Sequence, residues 1–81
     1  MDTGKAEREM TFGERAVGLT FNPSGDPDVA VLKEMIAAFI DRCNMHRDQA
    51  TDHEVKRMYS LAITHAQTAQ MWGVKAATWR K

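Results

Sequence analysis

Asp26-Pro27-Asp28-Val29-Ala30-Val31-Leu32-Lys33-Glu34-Met35-Ile36-Ala37-Ala38-Phe39-Ile40-Asp41-Arg42-Cys43 is the run on which the fold turns. Asp26 is a strong N-cap, because its carboxylate can accept the free amides of a helix's first turn, and Pro27 suits the first helical position, where no amide hydrogen is needed. Val29, Leu32, Ile36, Phe39 and Cys43 then recur at spacings of 3 and 4, the period of one helical face. The spacing predicts a helix over 27–46. Toward the carboxyl terminus, Thr51 and Glu54 stand at capping-box spacing. Behind them Val55, Met58, Ala62, Ala66, Ala69, Trp72, Ala76 and Trp79 form a second stripe, which predicts a helix over 52–79. Neither segment contains an internal proline and only Gly73 interrupts the second. An antiparallel helical hairpin joined near Arg47 to Ala50 is the simplest architecture. At 1.5 Å per residue the helices span about 30 and 42 Å, which leaves roughly 12 Å of the second without its partner.

Toward the amino terminus, Thr11 and Glu14 are another capping-box pair and predict a short helix from Phe12 to Leu19, with Phe12, Ala16 and Leu19 on one side. Gly13 and Gly18 lower its intrinsic helicity. Asn22-Pro23-Ser24-Gly25 places Asn, Pro and Gly where a type I turn prefers them, immediately before the Asp26 cap. Residues 1–10 have no apolar period and read as a flexible N-terminus, leaving residues 11–81 as a single helical domain. The expected class is all-α: a short N-terminal helix followed by a long antiparallel helical hairpin.

A single core in a chain of 81 residues buries only about 60% of its unfolded surface. Val31 and Met35 on the first long helix, and Leu61, Ile63, Met71 and Val74 on the second, lie off the two stripes and exceed what one helix seam can cover. Small scaffolds without metals or disulfides recover stability by association, so a symmetric homo-oligomer is expected, against the alternative of a three-helix monomer.

Charge and composition remove several function classes. Eleven basic and eleven acidic residues cancel, and 43% hydrophobic residues argue for a globular chain. The balance is uneven: 3 basic and 4 acidic residues in 1–25, 3 and 7 in 26–54, then 5 and none in 55–81. The basic residues of that last third suit the negative end of a helix dipole as well as an anion. With none between Arg57 and Lys75 they make a poor phosphate track, so no DNA or RNA polymer is expected as partner. The longest apolar run, Met35 to Ile40, is 6 residues, whereas a membrane helix needs roughly 20. No membrane partner is expected. The charged amino terminus and the single Cys43 favour a reducing cytosol over export. Asp48, Asp52, His53 and Glu54 resemble a solvated connection with helix caps, no nucleophile stands at an interpretable spacing, and no enzyme is expected. Cys43, His46 and His53 match no established zinc spacing and read as a buried thiol with two surface imidazoles. Trp72 and Trp79, seven residues apart on the stripe, read as packing anchors in preference to stacking platforms.

The segment from Phe12 to Gly25 is richer. It gathers rings at Phe12 and Phe21, a guanidinium at Arg15, and a turn of Asn22, Pro23, Ser24 and Gly25 ahead of a helix start. Rings stack on a base, Arg forks to phosphate, and amides at a helix start take anions, which together suit a small phosphorylated ligand. Asp26 and Asp28 would repel phosphate there unless it approached from the Arg15 side. The competing reading is a structural turn and cap.

The run Phe12-Gly13-Glu14-Arg15-Ala16-Val17-Gly18-Leu19-Thr20-Phe21-Asn22-Pro23-Ser24-Gly25-Asp26, followed by a helix and then by Ala69-Gln70-Met71-Trp72-Gly73-Val74-Lys75-Ala76, resembles the phage anti-CBASS cyclic-nucleotide sponge family over residues 11 to 80. The hairpin is similar to that of phage anti-Thoeris sponges. The resemblance implies a helical homohexamer in the cytoplasm of an infected bacterial host, which sequesters immune second messengers without cleaving them and so keeps CBASS effectors inactive. It implies cyclic dinucleotides such as 3′,3′-cyclic GMP-AMP held between protomers, with cyclic trinucleotides or cyclic ADP-ribose isomers, which some members hold at other sites, as further ligands, and no cofactor. Phe12 matches the family's base-stacking aromatic, Arg15 is the local phosphate candidate, and Asn22-Pro23-Ser24-Gly25 matches the family's turn. Some members carry a lysine close after that turn, whereas this chain has Asp26, Pro27 and Asp28, and its next lysine is Lys33. Gln70, Trp72 and Lys75 match the second motif and, with Lys33, form either a second site or part of the oligomer interface. The remaining alternative is a helical oligomeric adaptor that binds another protein through Met-rich apolar faces.

Overall fold

The computed structural model describes residues 9–79 as three helices and their connections. These are α1 (Phe12–Ala16), α2 (Pro27–Gln49) and α3 (His53–Ala77), and no strand occurs among the described residues. The segment expected to be a flexible N-terminus lies, up to residue 8, outside the described residues, as do Arg80 and Lys81.

Each boundary has a local cause. Thr11 caps α1 in the expected capping box: the Thr11 hydroxyl accepts from the Glu14 amide at 3.1 Å, and the Glu14 carboxylate accepts from the Thr11 amide at 3.0 Å. The helix stops at Ala16, short of the expected Leu19, because Gly18 enters the left-handed region at φ 63°. The Leu19 amide then bonds the Glu14 carbonyl at 3.0 Å and the Gly18 amide bonds the Arg15 carbonyl at 3.2 Å. That pair of bonds is a Schellman closure, which favours glycine at this position.

The Asp26 carboxylate caps α2 by accepting from the Asp28 and Val29 amides, with Pro27 at the first position as expected. The helix continues to Gln49, past the expected end at residue 46, and Lys56 donates to the Arg47 carbonyl at 3.0 Å. A cation on the last turn offsets the helix dipole. For α3 the expected Thr51–Glu54 box does not form. Asp52 is the N-cap, accepting from the Glu54 amide at 2.7 Å, while the Glu54 carboxylate turns to Arg57. The connection is therefore Ala50 to Asp52, later than the expected Arg47 to Ala50. At about 34 and 38 Å the long helices nearly match, so the expected overhang of about 12 Å shrinks to about 3 Å.

The buried stripe on α2 is Val29, Lys33, Ala37, Ile40 and Cys43, and on α3 it is Ile63, Ala66 and Gln70. Val17, Leu19 and Tyr59 complete the packing around Ala37, Ile40, Ile63 and Ala66, and among the described residues Ile40 is the large side chain that is fully buried. The expected stripes were thus out of phase in part. Phe39, Met58, Trp72 and Trp79 are exposed, and Ile63, expected on an outer face, is buried. Val31, Met35, Leu61 and Met71 are exposed as expected, and Val74 is half-buried. The inner seam sets Ile40 and Ile63 among smaller groups, Ala37, Cys43 and Ala66, and small residues let helices approach closely. Gly13 is the extreme case. Its amide donates to Asp41 Oδ1 at 2.7 Å, and a methyl group there would collide with the Ala37 carbonyl oxygen.

The described chain measures 44 × 27 × 12 Å. A thickness of 12 Å is about one helix diameter, so the molecule is a single-layer slab with both broad faces open. No helix of the described residues is long and apolar enough to cross a membrane.

Candidate functional site

Close packing of Gly13 on α2 leaves the neighbouring α1 positions facing outward. Phe12 and Arg15 line a groove of about 550 Å³ with Met10, Ala16 and Gln67. That volume falls within the usual range for small-ligand sites. Phe12 is 47% exposed, and Gln67 of α3 ties the groove floor to α1 by donating from Nε2 to the Ala16 carbonyl at 3.3 Å. An exposed ring beside a guanidinium can stack on a planar base and bond a phosphate oxygen.

The Phe12 ring also has a cation on it, from outside the groove lining. The Arg47 guanidinium carbon lies 5.8 Å from the ring centroid, and its Nη atoms donate to Ser60 Oγ at 3.0 Å and to Asn44 Oδ1 at 2.7 Å. Arg47, Met10 and Gln67 were not singled out in the sequence. Contacts across 35 residues to Arg47 and 51 to Gln67 leave no trace in local spacing.

The Asn22-to-Gly25 segment is a hydrogen-bonded turn, the Gly25 amide meeting the Asn22 carbonyl at 2.9 Å. No residue other than glycine has a positive φ among the described residues, which fits the expected type I geometry at Pro23 and Ser24. The Asn22 side chain is occupied by its own turn: Oδ1 accepts from the Asp26 amide at 3.1 Å and Nδ2 donates to the Asp26 carbonyl at 2.9 Å. Asp26 likewise occupies two first-turn amides of α2. Those groups build the turn, leaving Pro23 and Ser24 exposed at its tip. Neither the turn nor Phe21 lines the Phe12–Arg15 groove within one chain.

Lys33 stands apart from the other second-site candidates. It is 4% exposed, donating from Nζ to the carbonyl oxygens of Gly18, at 2.9 Å, and Phe21, and its ammonium lies 5.5 Å from the Phe21 ring centroid. Burial lowers its pKa from the usual lysine value. Lys33 therefore latches the loop between α1 and the turn, beneath a Phe21 side chain that is 72% exposed. Gln70 is also buried. Trp72 and Lys75 do share a surface: with Ala76 and Trp79 they line a second groove of about 510 Å³, where Lys75 Nζ lies 5.4 Å from the Trp72 and 5.7 Å from the Trp79 ring centroid. Both indoles are more than 60% exposed, so they are not the core anchors that their spacing suggested.

Cys43 is buried in the seam, while His46 stacks on Tyr59 at 5.6 Å and His53 is exposed at the start of α3. No cluster suited to a metal ion occurs among the described residues.

A family model for the Acb2/Tad1 hairpin domain matches residues 14–78. No curated protein and no solved structure matches the chain significantly. A match over most of the chain, on an all-helical hairpin carrying an aromatic and arginine groove, places this protein in the Acb2/Tad1 family of anti-CBASS and anti-Thoeris sponges, which bind cyclic nucleotides.

Proposed function

We propose that this protein binds cyclic oligonucleotide immune messengers and holds them intact, so that CBASS effectors go without their activator. Residues 11–81 act as one sponge domain in the cytoplasm of an infected bacterial host. The observation that carries this reading is the groove in which exposed Phe12 and Arg15 stand together. A cyclic dinucleotide such as 3′,3′-cyclic GMP-AMP has approximate two-fold character, so equivalent grooves of two protomers can grip it. Each Phe12 stacks on one base and each Arg15 forks to one phosphate. The partner protomer's turn of Asn22, Pro23, Ser24 and Gly25, with its exposed Phe21, supplies the wall that one chain lacks. Cyclic trinucleotides and cyclic ADP-ribose isomers, which likewise carry adenine-type bases and phosphate, are further ligands at other sites.

The assembly is a homohexamer in this reading, built on faces the slab leaves open. Val31, Met35 and Phe39 on α2, and Leu61, Met71, Trp72 and Trp79 on α3, are large, apolar and exposed. Such area favours association. Competing with an immune receptor requires nanomolar affinity, about −12 kcal/mol. Two stacked bases at about 1 to 3 kcal/mol each, with charge-assisted bonds to two phosphates in a preformed assembly, bring that within reach.

The same exposed faces support a second reading, an oligomeric adaptor for another protein. Titration calorimetry with 3′,3′-cyclic GMP-AMP, with light scattering on the same sample, separates the two. A sponge binds at nanomolar concentration near one ligand per two chains and returns intact nucleotide on denaturation. Phe12→Ala with Arg15→Ala then abolishes binding in an intact oligomer. An oligomer that ignores every cyclic nucleotide offered refutes the sponge reading and leaves the adaptor.

A further inference from the structure

Phe12 lines the groove and is 47% exposed, and it stands at the first position of a five-residue helix. Arg47 reaches its ring from the last turn of α2. Its guanidinium lies 5.8 Å from the Phe12 centroid, and it is not among the residues that line the groove. Nor is it free to swing. One Nη is bonded to Ser60 on α3 and the other to Asn44 one turn earlier on α2, and its backbone carbonyl accepts from Lys56. An arginine pinned on both long helices has already lost its rotamer freedom, so its contact with the ring carries no further ordering cost.

We propose that Arg47 is a positioning residue for ligand binding: clamped by Asn44 and Ser60, it holds the Phe12 ring from outside the groove so that the ring is presented to the ligand's base. This rests on the assignment of Phe12 to base stacking made above. The guanidinium fixes the ring plane and draws on its π density, which favours an electron-rich purine on the groove side. Arg15 and Arg47 thereby have different tasks, Arg15 lining the groove itself and Arg47 acting through the ring.

The test is a double-mutant cycle between Arg47→Gln and Phe12→Leu, read by the Kd for 3′,3′-cyclic GMP-AMP and by the Phe12 ring proton resonances of the ligand-free protein. With Phe12 present, Arg47→Gln is expected to weaken binding roughly 2- to 5-fold, the scale of one cation–π contact. It should also shift or broaden the ring signals. With leucine at 12 the same change should leave the Kd unaltered. Arg47→Lys keeps a cation but loses the fork to Asn44 and Ser60, so it should restore part of the affinity. An equal loss of affinity in both backgrounds overturns the proposal, since Arg47 would then act on the ligand or the fold without the ring. A salt dependence of binding that flattens in Arg47→Gln overturns it too, by making Arg47 a phosphate contact. If the wild-type protein binds no cyclic nucleotide, the sponge reading fails by itself. The ring signals then decide the remainder: unchanged in Arg47→Gln, they refute positioning, and shifted, they support it.

Discussion

The junction of α1 with α2 and the outer face of α3 solve opposite packing problems. At the junction directed hydrogen bonds hold a small glycine and one buried lysine. A glycine sits on a helix backbone, its amide bonds Asp41, and a buried ammonium holds the carbonyls of the following loop. On α3 the two largest side chains of the protein, Trp72 and Trp79, lie 65% and 68% exposed, with Lys75 drawn against both. Burial in this slab is therefore not allotted by size. Directed hydrogen bonds of Gly13 and Lys33 fix α1 and the loop after it, while Ile40 and Ile63 fill the seam and the indoles stay outside, open to other surfaces.

The sharpest way to break that contrast is Gly13→Ala. In an ordinary exposed helix this change is favourable by up to about 1 kcal/mol. Here the added methyl meets the Ala37 carbonyl and the Asp41 carboxylate, both held by their own bonding. Overpacking against backbone costs about 1 to 3 kcal/mol, so the variant should lose about 2 to 3 kcal/mol in denaturant unfolding and loosen the Phe12–Arg15 groove. A neutral or stabilised variant would mean that α1 does not rest on α2 as described.

Lys33→Met is next. Methionine keeps the buried apolar stem but removes the donors to Gly18 and Phe21. Gly18 retains a bond from the Phe21 amide, at 2.9 Å, so Phe21 is the carbonyl that loses most. Leaving such a group unpaired costs about 1 to 3 kcal/mol, partly offset because the buried ammonium was itself desolvated. The expected net loss is about 1 kcal/mol. It should appear with faster amide exchange at Leu19 to Phe21, while amides in the middle of α3 keep their protection.

How much of this was legible in the sequence follows the same division. The Thr11–Glu14 box, the Asp26–Pro27 start and the Asn22-to-Gly25 turn were readable because each is decided within about four residues by side-chain oxygens and backbone amides. Thr51 and Asp52 are adjacent residues of comparable capping strength, and spacing alone could not tell that Arg57 would claim Glu54. The phase of the long helices was misread because apolar residues occupy several faces of each, so a stripe through Met58, Trp72 and Trp79 was as periodic as the true one through Ile63, Ala66 and Gln70. Lys33 could not be recognised as a latch, since its acceptors exist only after Gly18 has closed α1 and turned two carbonyls toward α2. At the site, Phe12 and Arg15 share one turn of α1 and were found together. Arg47 and Gln67 reach them across the hairpin and were missed.

The smallest intrinsic effect belongs to the other side of the comparison, and it sharpens the contrast most. Trp72→Ser with Trp79→Ser removes two indoles that the chain's own fold leaves exposed. Substitutions at such positions usually change the stability of an isolated chain by no more than about 0.5 kcal/mol. If these rings are packed only between copies, their stabilisation enters through association and depends on concentration. The wild-type melting temperature should then rise with protein concentration. The double variant should melt at one temperature throughout, with a smaller mass by light scattering, and should coincide with the wild type at the dilute end. A variant that is destabilised equally at every dilution would place the tryptophans in the chain's own core after all. Gly13 and Trp72 would then cease to be opposites, and the expectation that an 81-residue slab must share its surface with copies of itself would lose its physical basis.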